Sequence, residues 1–220
     1  MDTPRSLYWN NLLARVLTAP ALALSRTSER ELDKDPNKGL NEMALKCMIS
    51  SSAAANNPEV DCRTEYALRC KTGENKYVDV MLNHPKLPCE VLLLEIKYVK
   101  LDHLACKLPS TDAGDDSKQG DRRQHVQRLK SFLSQLSVEE LLRLPVYTKP
   151  KAGDQPLPGV RSYRTSVFQV YDKACFQLND YCKTAKEVAA REATSPLKVY
   201  RALVICVGTR LLYSEVEEYI

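Results

Sequence analysis

Tyr77-Val78-Asp79-Val80-Met81-Leu82 and, after a connection, Val91-Leu92-Leu93-Leu94-Glu95-Ile96-Lys97-Tyr98-Val99 read as successive β-strands. Both runs are short and apolar, and turn formers bound them: Gly73 ahead of the first, Pro85 and Pro88 between the two. Alternate side chains of a strand share a face, so Glu95 and Lys97 point one way and Ile96 the other. Two charges inside so apolar a run cost free energy unless something neutralises them. A divalent cation held by Asp79 and Glu95, beside Lys97, is one compensation. Hard cations such as Mg²⁺ take oxygen ligands and few carboxylates, leaving positions for water and phosphate. The Ile96 carbonyl would be a third ligand. The competing account is a structural Glu–Lys pair at the end of a sheet, with Asp79 capping an edge.

Working outward, residues 64–70 alternate as a strand and 71–75 turn the chain through Gly73. Upstream, residues 40–51 fit a helix with Asn41 as N-cap. Glu42, Leu45 and Ile49 share one of its faces, which sets a carboxylate at the rim of a buried stripe. A loop is expected over 50–57, closed by Pro58. Downstream come a polar loop (107–120), a helix (121–136) with Val126, Leu129, Leu133 and Leu136 on one face, and a capping box from Ser137 to Glu140 that opens a short helix. Residues 146–162 read as a loop. A long helix over 167–190 carries the stripe Val167, Tyr171, Ala174, Leu178, Tyr181, Ala185 and Val188. Two strands, 202–207 and 211–216, close the chain around Gly208. The pattern predicts an α/β fold with a mixed central sheet and helices on both faces, preceded by an N-terminal arm or helix over residues 1–37. The domain proper is expected over 38–220, with a helical insertion at about 107–165.

With 220 residues, 44% hydrophobic and 27% charged, the chain can bury a sizeable core. Only 7 glycines are present, and neither GxGxxG nor GxxxxGK[ST] occurs, which disfavours nucleotide-binding folds. The formal charge of +4 permits an anionic partner without demanding one. Charge is concentrated at Lys118, Arg122, Arg123, Arg128 and Lys130, a stretch that could track a phosphate backbone or simply be a solvated helix face. His125 stands there without a Cys or His at ligand spacing. Eight cysteines without a CxxC pair point to reduced, buried thiols in an intracellular (cytoplasmic or nuclear) protein. Ala21-Leu22-Ala23 imitates a signal cleavage site, but Asn10, Asn11 and Arg15 break the apolar run; a helix whose Leu12, Leu13, Val16 and Leu17 pack on the domain is the better reading. No run reaches the length of a membrane span, and no membrane partner is expected.

The order of these features resembles the PD-(D/E)XK nuclease superfamily: the helix of Leu40-Asn41-Glu42, the Glu65 strand, the Asp79 strand, Glu95-Ile96-Lys97, the Gln177…Tyr181 helix and the final strand pair. More narrowly it looks like the RecB-like domains found C-terminal to AAA-ATPase-like proteins. The match covers about residues 38–216, and its Asp…ExK core is the specific part. The resemblance implies a restriction-endonuclease-like core and metal-dependent hydrolysis of phosphodiester bonds in DNA, or less favourably RNA, by a metal-activated water. Mg²⁺ would be the cofactor, with Mn²⁺ as substitute. Asp79, Glu95, Lys97 and Glu42 fall on catalytic positions, and Asp79, Glu95, Ile96 and Glu42 on the metal side. Glu65 matches a weaker acidic position ahead of the Asp strand. Gln177 and Tyr181 match the QxxxY motif, which positions the active site and the nucleic-acid strand. An insertion of about eighty residues between Lys97 and Gln177 departs from the minimal pattern. The alternative function is a nuclease-derived module that binds nucleic acid or protein with weak turnover or none.

Overall fold

The structure is a computed structural model that describes residues 4–26, 41–101, 104, 118–148, 163–192 and 196–220. The elements run α1 (Pro4–Arg26), α2 (Glu42–Asn56), β1 (Asp61–Arg69), β2 (Asn75–Asn83), β3 (Glu90–Val99), α3 (Lys118–Gln135), α4 (Val138–Arg143), β4 (Pro145–Thr148), β5 (Tyr163–Ser166), α5 (Val167–Glu192), β6 (Lys198–Val207), β7 (Arg210–Tyr213) and β8 (Glu217–Tyr219). The chain is an α/β protein with a mixed sheet in the order β1-β2-β3-β6-β7, and β8 also pairs with β6. The first three strands form an antiparallel meander, and β3 runs parallel to β6 over ten residue pairs, from Glu90↔Lys198 to Val99↔Val207.

Helices cover both faces. On one, Trp9, Leu12, Leu13, Val16 and Leu17 of α1 and Leu45, Ile49 and Ala53 of α2 pack against Val80, Leu82, Leu92, Leu94, Ile96, Ala202 and Val204. On the other, Leu178, Tyr181, Cys182 and Ala185 of α5 meet Val78, Met81, Val91, Leu93 and Val199. The predicted stripe of α1 is buried, and that of α5 is buried at Val167, Ala174, Leu178, Tyr181 and Ala185, with Tyr171 and Val188 half-buried. β3 and β6 lie at the centre, which is why they read as nearly unbroken apolar runs. A third cluster joins α3 to the far end of the sheet through Leu129, Leu133, Val99 and Val207. Gly208 turns β6 into β7 with φ +63°, and a Cβ there would stand 2.3 Å from Leu101 Cδ2.

Local signals place the helix ends. Asn41 Oδ1 accepts from the Ala44 amide at 2.8 Å, the cap expected of it, and Ser137 with Glu140 forms a complete capping box. Asn10, read in the sequence as an interruption, accepts from the Val216 amide at 2.8 Å and ties α1 to the segment beyond β7. Several expectations need correction. The strands expected over 202–207 and 211–216 are Lys198–Val207 and Arg210–Tyr213. The loop expected over 50–57 is helical through Asn56, because the small residues Ser52 and Ala53 are buried in α2 rather than turned out. Part of the 146–162 loop is strand: β4 and β5 pair antiparallel, with Val146 buried in the third cluster. β8 also went unread, since Glu217-Glu218-Tyr219 lacks apolar alternation and its strand state is imposed by pairing with β6. Residues 105–117 and 149–162, and the side chains of Lys118, Arg122, Arg123, His125 and Val126, lie outside the described residues.

Buried thiols are only partly found. Cys182 and Cys206 are buried, and burial pushes the Cys182 thiol up to about 12, but Cys47 and Cys89 are exposed. All seven described cysteines are free. Among the described residues no helix is long and apolar enough to cross a membrane.

Candidate functional site

Strands β2 and β3 pair over only four residues each, Val80–Asn83 against Val91–Leu94. Beyond Val80 they part. The Ile96 amide, free of a β2 carbonyl, donates instead to Asp79 Oδ2 at 2.7 Å. A side chain thus replaces backbone at the point of divergence, satisfying a buried N–H that would otherwise lose its partner.

The same point is a fault in the β1–β2 ladder. Thr64 pairs with Val80 and Tyr66 with Val78, while Glu65 and Asp79 between them do not pair. Glu65 adopts φ +51°, alone among the described non-glycine residues in having a positive value. Such a conformation costs roughly 1–3 kcal/mol and persists where the surroundings over-determine it. β2 also exchanges faces here. Below Asp79, Val78 packs on the α5 side, and Lys76 Nζ reaches Asp180 at 2.6 Å and Thr184 at 3.2 Å on α5; above it, Val80 and Leu82 join the α1–α2 cluster.

Into this wedge the expected residues converge. Asp79 is 7% exposed and Glu95 0%. Lys97 Nζ stands 2.5 Å from Glu95 Oε1 as an ion pair, yet neither Glu95 oxygen has a partner in hydrogen-bond geometry. Burial, and then the charge of Asp79, pushes the Glu95 carboxyl up to about 7 against the opposing pull of Lys97. Burial works against the Lys97 ammonium, but the Glu95 carboxylate outweighs it and raises that pKa above the ordinary value. Ile96 contributes through its backbone amide, and its side chain is buried in the opposite layer, as the strand period requires.

Gln177 and Tyr181, one turn apart on α5, are hydrogen-bonded to each other, the Gln177 amide donating to the phenolic oxygen. Burial, and beyond it the charges of Glu95 and Asp79, raise the Tyr181 pKa against the effect of the Gln177 bond. Tyr181 is thus within electrostatic reach of both carboxylates. Glu42 is half-exposed at the start of α2 and takes part through Lys46.

Lys46 is the residue the sequence reading missed. Its side chain is 6% exposed, and its ammonium is held by Glu65, by Asp79 Oδ1 at 2.6 Å and by Glu42 Oε1 at 3.4 Å. Burial disfavours its charge, but the bonds to Asp79 and Glu65 prevail and the pKa rises. The signal was present: Glu42 and Lys46 are i, i+4 on the helix whose Leu45 and Ile49 make the buried stripe, so Lys46 faces the sheet with them. Read alone, a lysine in an amphipathic helix passes for a solvated charge.

The arrangement contains four carboxyl groups (Glu42, Glu65, Asp79, Glu95) and two ammonium groups (Lys46, Lys97). Among the described residues no three His, Cys, Asp or Glu side chains are gathered as a ready metal cage. The ammonium groups hold these carboxylates instead. The Glu95 oxygens are buried, with Oε1 met by the Lys97 ammonium and Oε2 without a hydrogen-bond partner, and a hard cation with oxygen preference fits them. Of the basic helix, Arg128 is exposed and Lys130 half-buried. Compared with family models, with curated proteins and with solved structures, the chain finds no match.

Proposed function

We propose that the chain is a Mg²⁺-dependent nuclease of the PD-(D/E)XK type, acting on phosphodiester bonds in DNA ahead of RNA. The observation that carries this reading is Glu95: fully buried, paired with Lys97 at Oε1, without a hydrogen-bond donor at Oε2, and adjacent to Asp79. A purely structural carboxylate in that position would have its acceptors satisfied. The element order α2-β1-β2-β3-α5-β6, with β3 parallel to β6, supports a restriction-endonuclease-like core. So does the parting of β2 from β3 at Asp79.

Asp79 and Glu95 would hold the cation with the Ile96 carbonyl, while Glu42, also expected there from the sequence, is paired with Lys46. Mn²⁺ would serve in place of Mg²⁺. Bound there, a divalent cation supplies Lewis-acid polarisation of a phosphoryl oxygen and acidifies water. The chain's own residues do the rest. Lys97, anchored by Glu95, orients the attacking water and offsets the charge that develops on the phosphoryl oxygens. Asp79 is fixed at both oxygens, by the Ile96 amide and by Lys46, so its carboxylate needs no reordering before reaction. Gln177 and Tyr181 offer hydrogen-bonding groups from one helix face to the strand or to the carboxylates.

The test is cleavage of single- and double-stranded DNA with and without Mg²⁺. Asp79→Ala and Lys97→Ala should each lower the rate by about 100–1,000-fold, the scale of losing one transition-state contact. Cleavage by both variants at the rate of the unaltered chain would overturn the hydrolase reading. DNA binding without Mg²⁺-dependent cleavage would assign the chain to a nuclease-derived binding module.

A further inference from the structure

We infer that Lys46 is a resident cation of the site, filling with its ammonium the place of a second metal ion, so that the wedge takes one divalent cation and not two. The inference rests on the metal-dependent reading above and concerns how many ions that site accepts.

Two-metal hydrolytic sites use a pair of divalent ions as a clamp on the attacking and leaving oxygens. Such a pair needs carboxylates on both sides. Here the carboxylates divide into two sets. Glu42, Glu65 and one oxygen of Asp79 are already gathered on the Lys46 ammonium, which is nearly inaccessible to solvent. Glu95 stands apart from that set, paired with Lys97 at Oε1 and without a hydrogen bond at Oε2. With all four carboxyl groups ionised against two ammonium groups, the excess is two negative charges, the complement of one divalent ion. A second ion would have to expel Lys46 from three partners at once, and a buried ammonium so displaced would be left unpaired.

Glu65 strengthens the case. Its left-handed backbone conformation, opposite the unpaired Asp79, carries its carboxylate to Lys46. Strain of that kind is retained where a specific geometry is required. Lys46 is thereby built into the sheet at the fault that creates the wedge. It is a positioning residue, holding Asp79 at Oδ1 while the Ile96 amide holds Oδ2.

The full chain should be titrated with Mn²⁺, counting bound ions by calorimetry and by paramagnetic resonance, in parallel with Asp79→Asn to identify ions bound at the site. The unaltered chain is expected to bind one Mn²⁺ that Asp79→Asn loses. Two such ions would overturn the inference while leaving the hydrolase reading intact; no such ion would overturn both. Lys46→Met should raise the count to two and enlarge the Mn²⁺-induced rise in Tm. If Lys46→Met unfolds without metal, Mn²⁺ should restore its circular dichroism spectrum. A folded Lys46→Met chain that still binds one ion contradicts the inference, and so does a chain that stays unfolded at saturating Mn²⁺.

Discussion

The two ends of the β2–β3 pair are built on opposite principles. From Val80 to Asn83 and Val91 to Leu94 the strands are laddered, and Val80, Leu82, Leu92 and Leu94 are fully buried. A few residues on, the same strands have parted, and the space holds Asp79, Glu95, Lys97 and the lysine that reaches in from α2. One end is held by apolar burial and backbone hydrogen bonds, the other by ion pairs around a fully buried carboxylate. The first is where stability is made. The second is an arrangement of uncompensated charge that apolar side chains could replace with a gain in stability, which is how a binding or catalytic site departs from a core.

Breaking the laddered end should have the largest effect on folding. Leu94→Ala removes a fully buried side chain between the sheet and the α1–α2 layer, and it should destabilise the fold by about 2–5 kcal/mol in urea unfolding. Any chain that remains folded should keep its Mg²⁺-dependent cleavage, since the side chain faces away from Glu95. Loss of cleavage in a fully folded Leu94→Ala chain would show that the two ends are not separable.

The charged end should respond in the opposite sense. With its folded pKa raised to about 7 from an ordinary 4.5, Glu95 keeps a proton that the unfolded chain has already released. Stability without metal therefore falls as pH rises from about 4.5 through 7, and the full cost of the buried charge is present above that. Glu95→Gln removes the cost. In metal-free buffer it should be more stable than the natural chain at pH 8, by on the order of 1–3 kcal/mol, and little different near pH 4. Its cleavage activity should be lost. A Glu95→Gln chain less stable than its parent at pH 8 would mean that the Lys97 ion pair outweighs desolvation.

The smallest expected effect is at the brace that holds the parted end of β2. Lys76 pairs with Asp180 on α5, but both side chains are substantially exposed. Lys76→Ala should cost only about 0.2–1 kcal/mol, and less at high salt. A larger loss in thermal unfolding would place the brace among the supports of the wedge.

Most of the frame was legible because period and composition act locally. Asn41, the Ser137–Glu140 box, most of the α5 stripe and β3 each carry their signal within a few residues and were read, while β6 was read only from Ala202 onward. Asp79, Glu95 and Lys97 were legible for a related reason: charge inside an apolar run is anomalous wherever the run folds. Lys46 and the Glu65 conformation were not. A lysine is ordinary in a helix, and nothing in Arg63-Thr64-Glu65-Tyr66 announces a positive φ; both acquire meaning only when α2, β1 and β2 meet. β8 and the β4–β5 pair escaped because their strand state comes from partners distant in sequence.

The central claim is that the wedge between β2 and β3 holds a cation, and crystals grown with Mn²⁺ address it most directly through anomalous scattering. The account predicts a peak ligated by oxygens of both Asp79 and Glu95, with Lys97 beside it. A chain that crystallises with Mn²⁺ at saturating concentration and shows no peak between those two carboxylates would contradict it.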